Sequence, residues 1–317
     1  MGCPQALTTR TAVSQQAGTV GTPPDPKGQP MNAVADLAEV VTEPVTAPSG
    51  RLVAGRYRLR SLLGRGAMGR VWLAEDELLC RPVALKQHLA NDTGSVGEAR
   101  AARARSLNEA RTAARVTHDG VVRILDLVRE GSLPWIVMEP LSGQTLAQVI
   151  ATDGPLSIDR VIRLALRLLD VLRSVHAAGI VHRDVKPGNV QLCADGRVVL
   201  TDFGVACMHD EDFDWPHGVV AGSPAFMSPE QLRGDEPAPP SDLFSLGATL
   251  YAAVEGRTPF DQGGLWATLT AVAENPPGPW LRAGRVRPVI AGLLAKDPAA
   301  RLTIGAARTA LLDLALT

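Results

Sequence analysis

From Arg56 onward the pattern of hydrophobic and polar positions becomes strand-like. Tyr57-Arg58-Leu59-Arg60 has a period of two, and Val71-Trp72-Leu73-Ala74 and Val83-Ala84-Leu85-Lys86 follow as further strands. Gly97 to Arg115 is rich in Ala and Arg with no breaker after Gly97, which predicts a helix. Strand character returns at Val121 to Leu127 and at Pro134 to Met138. Past Gly143 the period lengthens. Ser157 is placed to cap a helix whose apolar side carries Val161, Ile162, Leu164, Ala165, Leu168, Leu169, Leu172 and Val175, and Gly179 is placed to end it. Ser241 to Glu255 is apolar nearly all round, so it is expected inside a core. The pattern predicts the α+β class: a small β-rich N-terminal lobe with one main helix, then a larger, mostly helical C-terminal lobe.

Residues 1 to about 50 are rich in Thr, Pro, Gly and Gln and contain no aromatic residue. Such a stretch cannot bury enough apolar area to offset its chain entropy, and a disordered tail is expected. Within it, Met31, Val34, Leu37, Val40 and Val41 have the spacing of a short amphipathic helix, too short to be stable undocked.

Composition narrows the function classes. A net charge of −1 provides no global field toward nucleic acid or an anionic membrane, so neither is expected as a partner. Cys3, Cys80, Cys193 and Cys207 are scattered without metal-ligand spacing and read as free thiols in a reducing compartment. No apolar run reaches the length of a membrane span, and the start lacks a basic-then-apolar signal; a cytoplasmic location is expected. Only four of the 32 basic residues are lysine: Lys27, Lys86, Lys186 and Lys296. A lysine kept where arginine is the rule is a place to look for chemistry.

Two of the four fall in motifs. Gly64-Arg65-Gly66-Ala67-Met68-Gly69-Arg70-Val71 fits G-x-G-x-x-G-x-V, whose glycines let backbone N–H groups approach phosphates. Because strand-like residues follow, the loop joins two strands rather than opening a helix, unlike a dinucleotide-binding turn. Lys86 ends an apolar strand, where an unpaired ammonium is costly. Glu109 on the following helix is its natural partner, although a strand-end lysine that snorkels is a common alternative. The strongest signal is His182-Arg183-Asp184-Val185-Lys186-Pro187-Gly188-Asn189. It sets a carboxylate able to accept a proton (Asp184), a cation (Lys186) and a neutral metal-ligating oxygen (Asn189) in one turn. Asp202-Phe203-Gly204 follows Val198-Val199-Leu200, and Asp202 is a hard oxygen ligand suited to Mg²⁺. Each tripeptide alone could be coincidence, but the ordered set at these spacings is not.

From about Arg56 to the C-terminus these motifs resemble the eukaryotic-like Ser/Thr protein kinases of bacteria. The resemblance implies a two-lobed kinase fold with an ATP cleft, a domain over 51–317, an N-lobe at about 51–138, a hinge at 139–142 and a C-lobe at 143–317. It implies transfer of the ATP γ-phosphoryl group to Ser or Thr hydroxyls of protein substrates, with Mg²⁺ as the metal and Mn²⁺ as a substitute, and autophosphorylation besides. Asp184 takes the catalytic-base position, Lys186 stabilises the transferring phosphoryl, Lys86 paired with Glu109 meets the α- and β-phosphates, and Asn189 and Asp202 hold the metal. Gly64, Gly66 and Gly69 cover the phosphates; Leu63, Val71 and Ala84 sandwich the adenine; Met138, Glu139 and Leu141 belong to the hinge, where backbone groups of the last two bond the base. The resemblance extends through Gly222-Ser223-Pro224 to Ser228-Pro229-Glu230, through Ser241-Asp242-Leu243, and to Lys296-Asp297-Pro298 with Arg301. It implies a Glu230–Arg301 pair and an Asp242 anchor for the catalytic loop. Lys186 and Gly222-Ser223 match the Ser/Thr-specific branch. The family's apolar floor residue, two positions past the Asn, is here Gln191.

A second departure concerns regulation. Val205 to Gly222 contains no Ser, Thr or Tyr, but holds Asp210, Glu211, Asp212 and Asp214. These acids are expected to stand in for an activating phosphate against Arg183 and the arginines of the Glu109 helix, with a merely solvated acidic loop as the equal alternative. Thr42 and Thr46 in the tail are candidate autophosphorylation sites for a phosphothreonine-reading partner, though a plain linker explains them as well. A homodimer is a further partner expectation left open. The competing functional reading is a non-catalytic, nucleotide-binding pseudokinase acting as a switch or scaffold.

Overall fold

A computed structural model describes residues 50–66, 69–88, 96–130, 133–203, 207–208, 224–236 and 238–316. The tail with Thr42 and Thr46, the Met31–Val41 helix, the acids Asp210, Glu211, Asp212 and Asp214, and Ser223 lie outside these residues.

The small lobe is an antiparallel sheet of β1 (Leu52–Val53), β2 (Tyr57–Gly66), β3 (Gly69–Asp76), β4 (Arg81–His88), β5 (Ile124–Glu130) and β6 (Leu133–Met138). The strand order is β1-β2-β3-β4-β6-β5, with α1 (Val96–Ala114) inserted between β4 and β5. Side chains alternate across the sheet. Trp72, Ala74, Val83, Leu85, Trp135 and Val137 meet Val53, Tyr57 and Leu59 in a core of their own. The register sets Val71 beside Lys86 and Lys86 beside Ile136, then Leu73 beside Ala84 and Ala84 beside Met138. Directly opposed residues share a face, so these line the side of the sheet opposite that core. Polar ties close the far end of the sheet. The Arg56 guanidinium grips both Asp76 carboxylate oxygens (2.8 and 2.7 Å), and the Tyr57 hydroxyl donates to Asp126 (2.8 Å).

One strand differs from its expectation. The run predicted from Val121 starts only at Ile124. Val121 instead makes an isolated parallel bridge to Leu200, and the Leu200 N–H donates to the Gly120 carbonyl (2.8 Å). The apolar run is genuine, but its first residues are claimed by the large lobe, which stitches the two lobes together there.

Among the described residues, the large lobe contains β7 (Gln144–Thr145), α2 (Leu146–Asp153), α3 (Ile158–Ala177), β8 (Ile180–Val181), β9 (Val190–Leu192), β10 (Val198–Leu200), β11 (Cys207–Met208) and five further α-helices. These are α4 (Pro229–Arg233), α5 (Pro239–Glu255), α6 (Leu265–Glu274), α7 (Arg287–Leu293) and α8 (Ile304–Ala315). β9 lies between β10 and β7, and β11 pairs with β8. α3 buries the predicted apolar face; Gly179 follows its end at φ 74°, the left-handed conformation glycine adopts freely. Ser157 holds the N-cap position but makes no side-chain capping bond. α2 and α4 are closed instead by reciprocal caps, Thr145 with Gln148 and Ser228 with Gln231.

α5 begins at Pro239, two residues ahead of the predicted start, and every residue from Ser241 to Glu255 is buried. Its polar members are each matched. The Glu255 carboxylate accepts the backbone N–H groups of Leu281, Arg282 and Ala283 (3.0 to 3.1 Å). Arg301 forms a two-pronged pair with Glu230 (2.6 and 3.1 Å) and donates to the carbonyls of Pro240 and Ala295. Ser241 adds a bond to the same carboxylate (2.9 Å). Burial alone would raise Glu230, but the Arg301 bonds and charge hold it below its ordinary value of 4.5.

Three outcomes are expected. Arg301→Ala leaves the Glu230 charge buried and alone and should cost about 3–5 kcal/mol in denaturant unfolding. Because the folded value of Glu230 is depressed, its contribution is complete above about pH 4.5 and is lost as pH falls through that folded value. Glu230→Gln should be less stable at neutral pH and lose less stability on acidification, as read by unfolding curves at several pH values. Separately, Gly143 sits at φ 88°, and a Cβ there would lie 2.1 Å from the Leu192 carbonyl oxygen. Gly143→Ala must displace β9 from β7 and should lower the melting temperature by several degrees.

Candidate active site

The cleft-facing side of the small sheet delivers Lys86 to the junction of three chain segments. Its ammonium lies 2.7 Å from Glu109 Oε1 on α1 and 2.8 Å from Asp202 Oδ1, which follows β10. Lys86 and Glu109 are both buried. Burial alone would depress the lysine, but the charges of Asp202 and Glu109 outweigh it and hold the ammonium above its usual range. The lysine therefore stays charged. The sequence foresaw Glu109 as its partner; the second carboxylate, 116 residues away, emerges only from the fold.

The turn between β8 and β9 gathers Asp184, Lys186 and Asn189. Asp184 Oδ2 accepts the Asn189 amide nitrogen at 2.8 Å and lies 2.9 Å from the Lys186 ammonium. The same amide nitrogen donates to the Asp184 carbonyl (2.8 Å), so Asn189 is oriented with Oδ1 as the atom it offers outward. The Asn189 carbonyl accepts both the N–H and the hydroxyl of Thr201 (2.9 and 3.2 Å), which sets Asp202 next to it. Asp202, the next residue after Thr201, offers a carboxylate and Asn189 an amide oxygen, hard ligand types suited to a small divalent cation that shares phosphate ligands.

Asp242, fully buried on α5, holds this turn. Its Oδ1 accepts the Arg183 N–H (2.8 Å) and its Oδ2 the His182 N–H (2.9 Å). His176 Nε2 lies 2.8 Å from the same Oδ2, and Gln231 donates to the Arg183 carbonyl (3.0 Å). Arg183 and Asp202 both have positive φ (67° and 64°), conformations of higher energy that these surroundings impose. His182 bridges to the Thr201 carbonyl through Nε2 (3.0 Å) and packs edge-on against the buried Phe203 (4.7 Å between ring centres). No local signal in the sequence marks His176, Gln231 or Thr249, whose hydroxyl reaches the Val185 carbonyl (3.2 Å). Their role depends on which helices pack beneath the loop.

Between the lobes, the Glu139 N–H is already committed to the Arg123 carbonyl (3.0 Å). This narrows the expectation for Glu139: of its backbone groups, only the carbonyl remains for a base, beside the Leu141 N–H. The Glu139 side chain is turned away and braced, accepting the Arg123 N–H (3.0 Å) and pairing with Arg197 (3.2 Å). Met138 and Leu141 pack against Val122, Cys193 and Val199. Leu63 is exposed, Ala84 is buried, and Val71 lies on the Lys86 side of the sheet. Gly64 pairs with Val71 and Gly66 with Gly69, so the Gly-rich loop does join two strands. Gln191 donates to the Ser142 carbonyl at 3.1 Å.

Comparison with known proteins agrees with this geometry. Residues 57–311 match the model of the protein kinase domain. The chain is 37% identical over 266 residues to serine/threonine-protein kinase PknA of Mycobacterium tuberculosis, covering 81% of this chain and 60% of that one. It is 40% identical over 215 residues to the DNA damage-responsive serine/threonine-protein kinase RqkA of Deinococcus radiodurans, covering 67% and 31%. It is 35% identical over 215 residues to serine/threonine-protein kinase PrkC of Bacillus subtilis, covering 67% and 32%. The chain thus spans 60% or less of the length of each of these relatives. With the fold, the motif order and these matches in agreement, the chain belongs to the protein kinase family, among the eukaryotic-like Ser/Thr kinases of bacteria.

Proposed function

We propose that this protein is an active Ser/Thr protein kinase that transfers the γ-phosphoryl group of ATP to hydroxyls of protein substrates and to itself. The observation that carries the reading is the Lys86 bridge, 2.7 Å from Glu109 and 2.8 Å from Asp202. A switch that had abandoned catalysis would not need to keep this charge trio together with Asp184, Lys186 and Asn189.

In this reading the Glu139 carbonyl and the Leu141 N–H hold adenine, Leu63, Val71 and Ala84 enclose it, and the glycines at 64, 66 and 69 cover the phosphates. Lys86, oriented by Glu109, meets the α- and β-phosphates. Asp184 accepts the proton of the attacking hydroxyl while Lys186 neutralises charge on the phosphoryl group in flight. Asn189 Oδ1 and the Asp202 carboxylate would hold Mg²⁺, or Mn²⁺ in its place; the ion supplies charge neutralisation on the phosphate oxygens. Arg183 and the acids Asp210, Glu211, Asp212 and Asp214 are assigned to ordering of the loop before Ser223. The reading sets the protein in the cytoplasm, where ATP is supplied and thiols such as Cys80 and Cys193 stay reduced. No helix among the described residues is long and apolar enough to cross a membrane. A homodimer and a phosphothreonine reader of Thr42 or Thr46 complete the partner set.

Intact-mass spectrometry of dephosphorylated protein with Mg²⁺ and ATP tests the reading. Wild type should gain phosphate. Asp184→Asn should slow the gain by roughly 10²–10⁴-fold, the typical worth of a general base. Lys86→Met should slow it by about 10²–10³-fold while ATP still binds. No phosphate on wild type or on a generic protein substrate, despite nucleotide binding, would sink the catalytic assignment.

A further inference from the structure

The catalytic turn is gripped on both sides of one strained residue. Arg183 has φ 67°, a left-handed backbone that is costly for any residue with a side chain. Its N–H, on the peptide before it, donates to Asp242 (2.8 Å). The peptide after it carries the Arg183 carbonyl on one edge and the Asp184 N–H on the other. That N–H donates to His182 Nδ1 at 3.3 Å, and the carbonyl accepts Gln231 Nε2 at 3.0 Å. Because the peptide is planar, these two bonds fix its orientation, and with it the direction in which the Asp184 side chain leaves the backbone. The Gln231 bond is the shorter of the two.

Gln231 is itself held firmly. Its Oε1 accepts the Ser228 N–H (2.9 Å) and the Ser228 hydroxyl (3.0 Å), and its own N–H donates to that hydroxyl (3.3 Å), the reciprocal cap of α4. Both lone pairs of Oε1 are thus engaged, which leaves Nε2 turned to the Arg183 carbonyl. The next residue back, Glu230, pins α4 through its pair with Arg301 (2.6 and 3.1 Å) and its bond from Ser241 (2.9 Å). For the cap alone a glutamate would serve as well, since this position of a reciprocal cap takes either residue and a carboxylate suits the first turn of a helix. What only the amide supplies is the N–H donor, and that donor goes to the catalytic turn. We propose that Gln231 is a positioning residue for phosphoryl transfer: through the Arg183 carbonyl it holds the peptide that aims the Asp184 carboxylate. The assignment rests on the kinase reading and adds to it a residue 47 positions from the base it serves.

Steady-state phosphorylation of a generic protein substrate by the full chain with Mg-ATP tests this, for wild type, Gln231→Glu and Gln231→Met. Glu keeps the cap and loses the donor; Met keeps the length and loses both, and it serves if Glu is not tolerated. Melting curves check that each variant is folded, and Met should melt lower than Glu because it also loses the cap. Either variant should lower kcat by about tenfold to a hundredfold, the scale of a small misplacement of a reacting group. KM for ATP should stay within about twofold of wild type, the mark of an interaction felt in the transition state and not in nucleotide binding. A purely structural cap predicts the reverse order, with Glu as active as wild type. A folded variant of either kind with wild-type kcat, or with an effect confined to KM for ATP, overturns the proposal while the kinase reading stands. A wild type that transfers no phosphate to the substrate or to itself removes both.

Discussion

A single buried ammonium organises the relation between the lobes. Lys86 emerges from the small sheet into a site that excludes water, and a charge there persists only if it is matched. One match comes from α1 of the same lobe and the other from the segment after β10 of the large lobe. Satisfying both at once requires α1 to sit against the sheet and the Asp202 segment to be turned inward. Ala113, one turn past Glu109, packs in the same apolar cluster as Phe203, so burial of nonpolar surface and pairing of charge demand the same placement of α1. The cleft geometry is thus held by an electrostatic requirement and a hydrophobic one that agree.

Beneath the cleft, the large lobe supports the catalytic turn from a buried helix. α5 is buried throughout, and its inward polar groups hold loops by their backbones: Asp242 the catalytic turn, Glu255 the segment at Leu281 to Ala283, Thr249 the Val185 carbonyl. A carboxylate that accepts several backbone N–H groups fixes a loop's path without depending on side-chain rotamers. That is how irregular chain at 182–189 can keep Arg183 in a left-handed conformation and still place Asp184, Lys186 and Asn189 to within a hydrogen bond of one another.

Much of this was legible in the chain. Period-two alternation located β2, short apolar strand-like runs located β3, β4 and β6, the helical period located α3, and the absence of any polar face announced the buried α5. The motif series points to Lys86, Glu109, Asp184, Asn189 and Asp202 from the sequence alone. Positions decided by competition between elements were less legible. Val121 has the character of a strand residue, yet it is bridged to Leu200 because the lobe junction needs a backbone partner there. Ser157 is a good capping residue that makes no cap bond. His176 and Gln231 support the catalytic turn although nothing in their local sequence says so.

By itself, then, the sequence determined the local alternatives: where chain can be strand or helix, and which residue types are present to carry phosphoryl chemistry. These follow from periodicity and side-chain chemistry, which act over a few residues. Tertiary structure alone decided which distant groups meet. The second carboxylate on Lys86, the commitment of the Glu139 N–H to Arg123, the bracing of Glu139 by Arg197 and the tether of Gln191 to Ser142 all join residues that the chain keeps apart. Each arises because a buried or half-buried polar group must find a partner, and only the packed fold determines which partner is within reach.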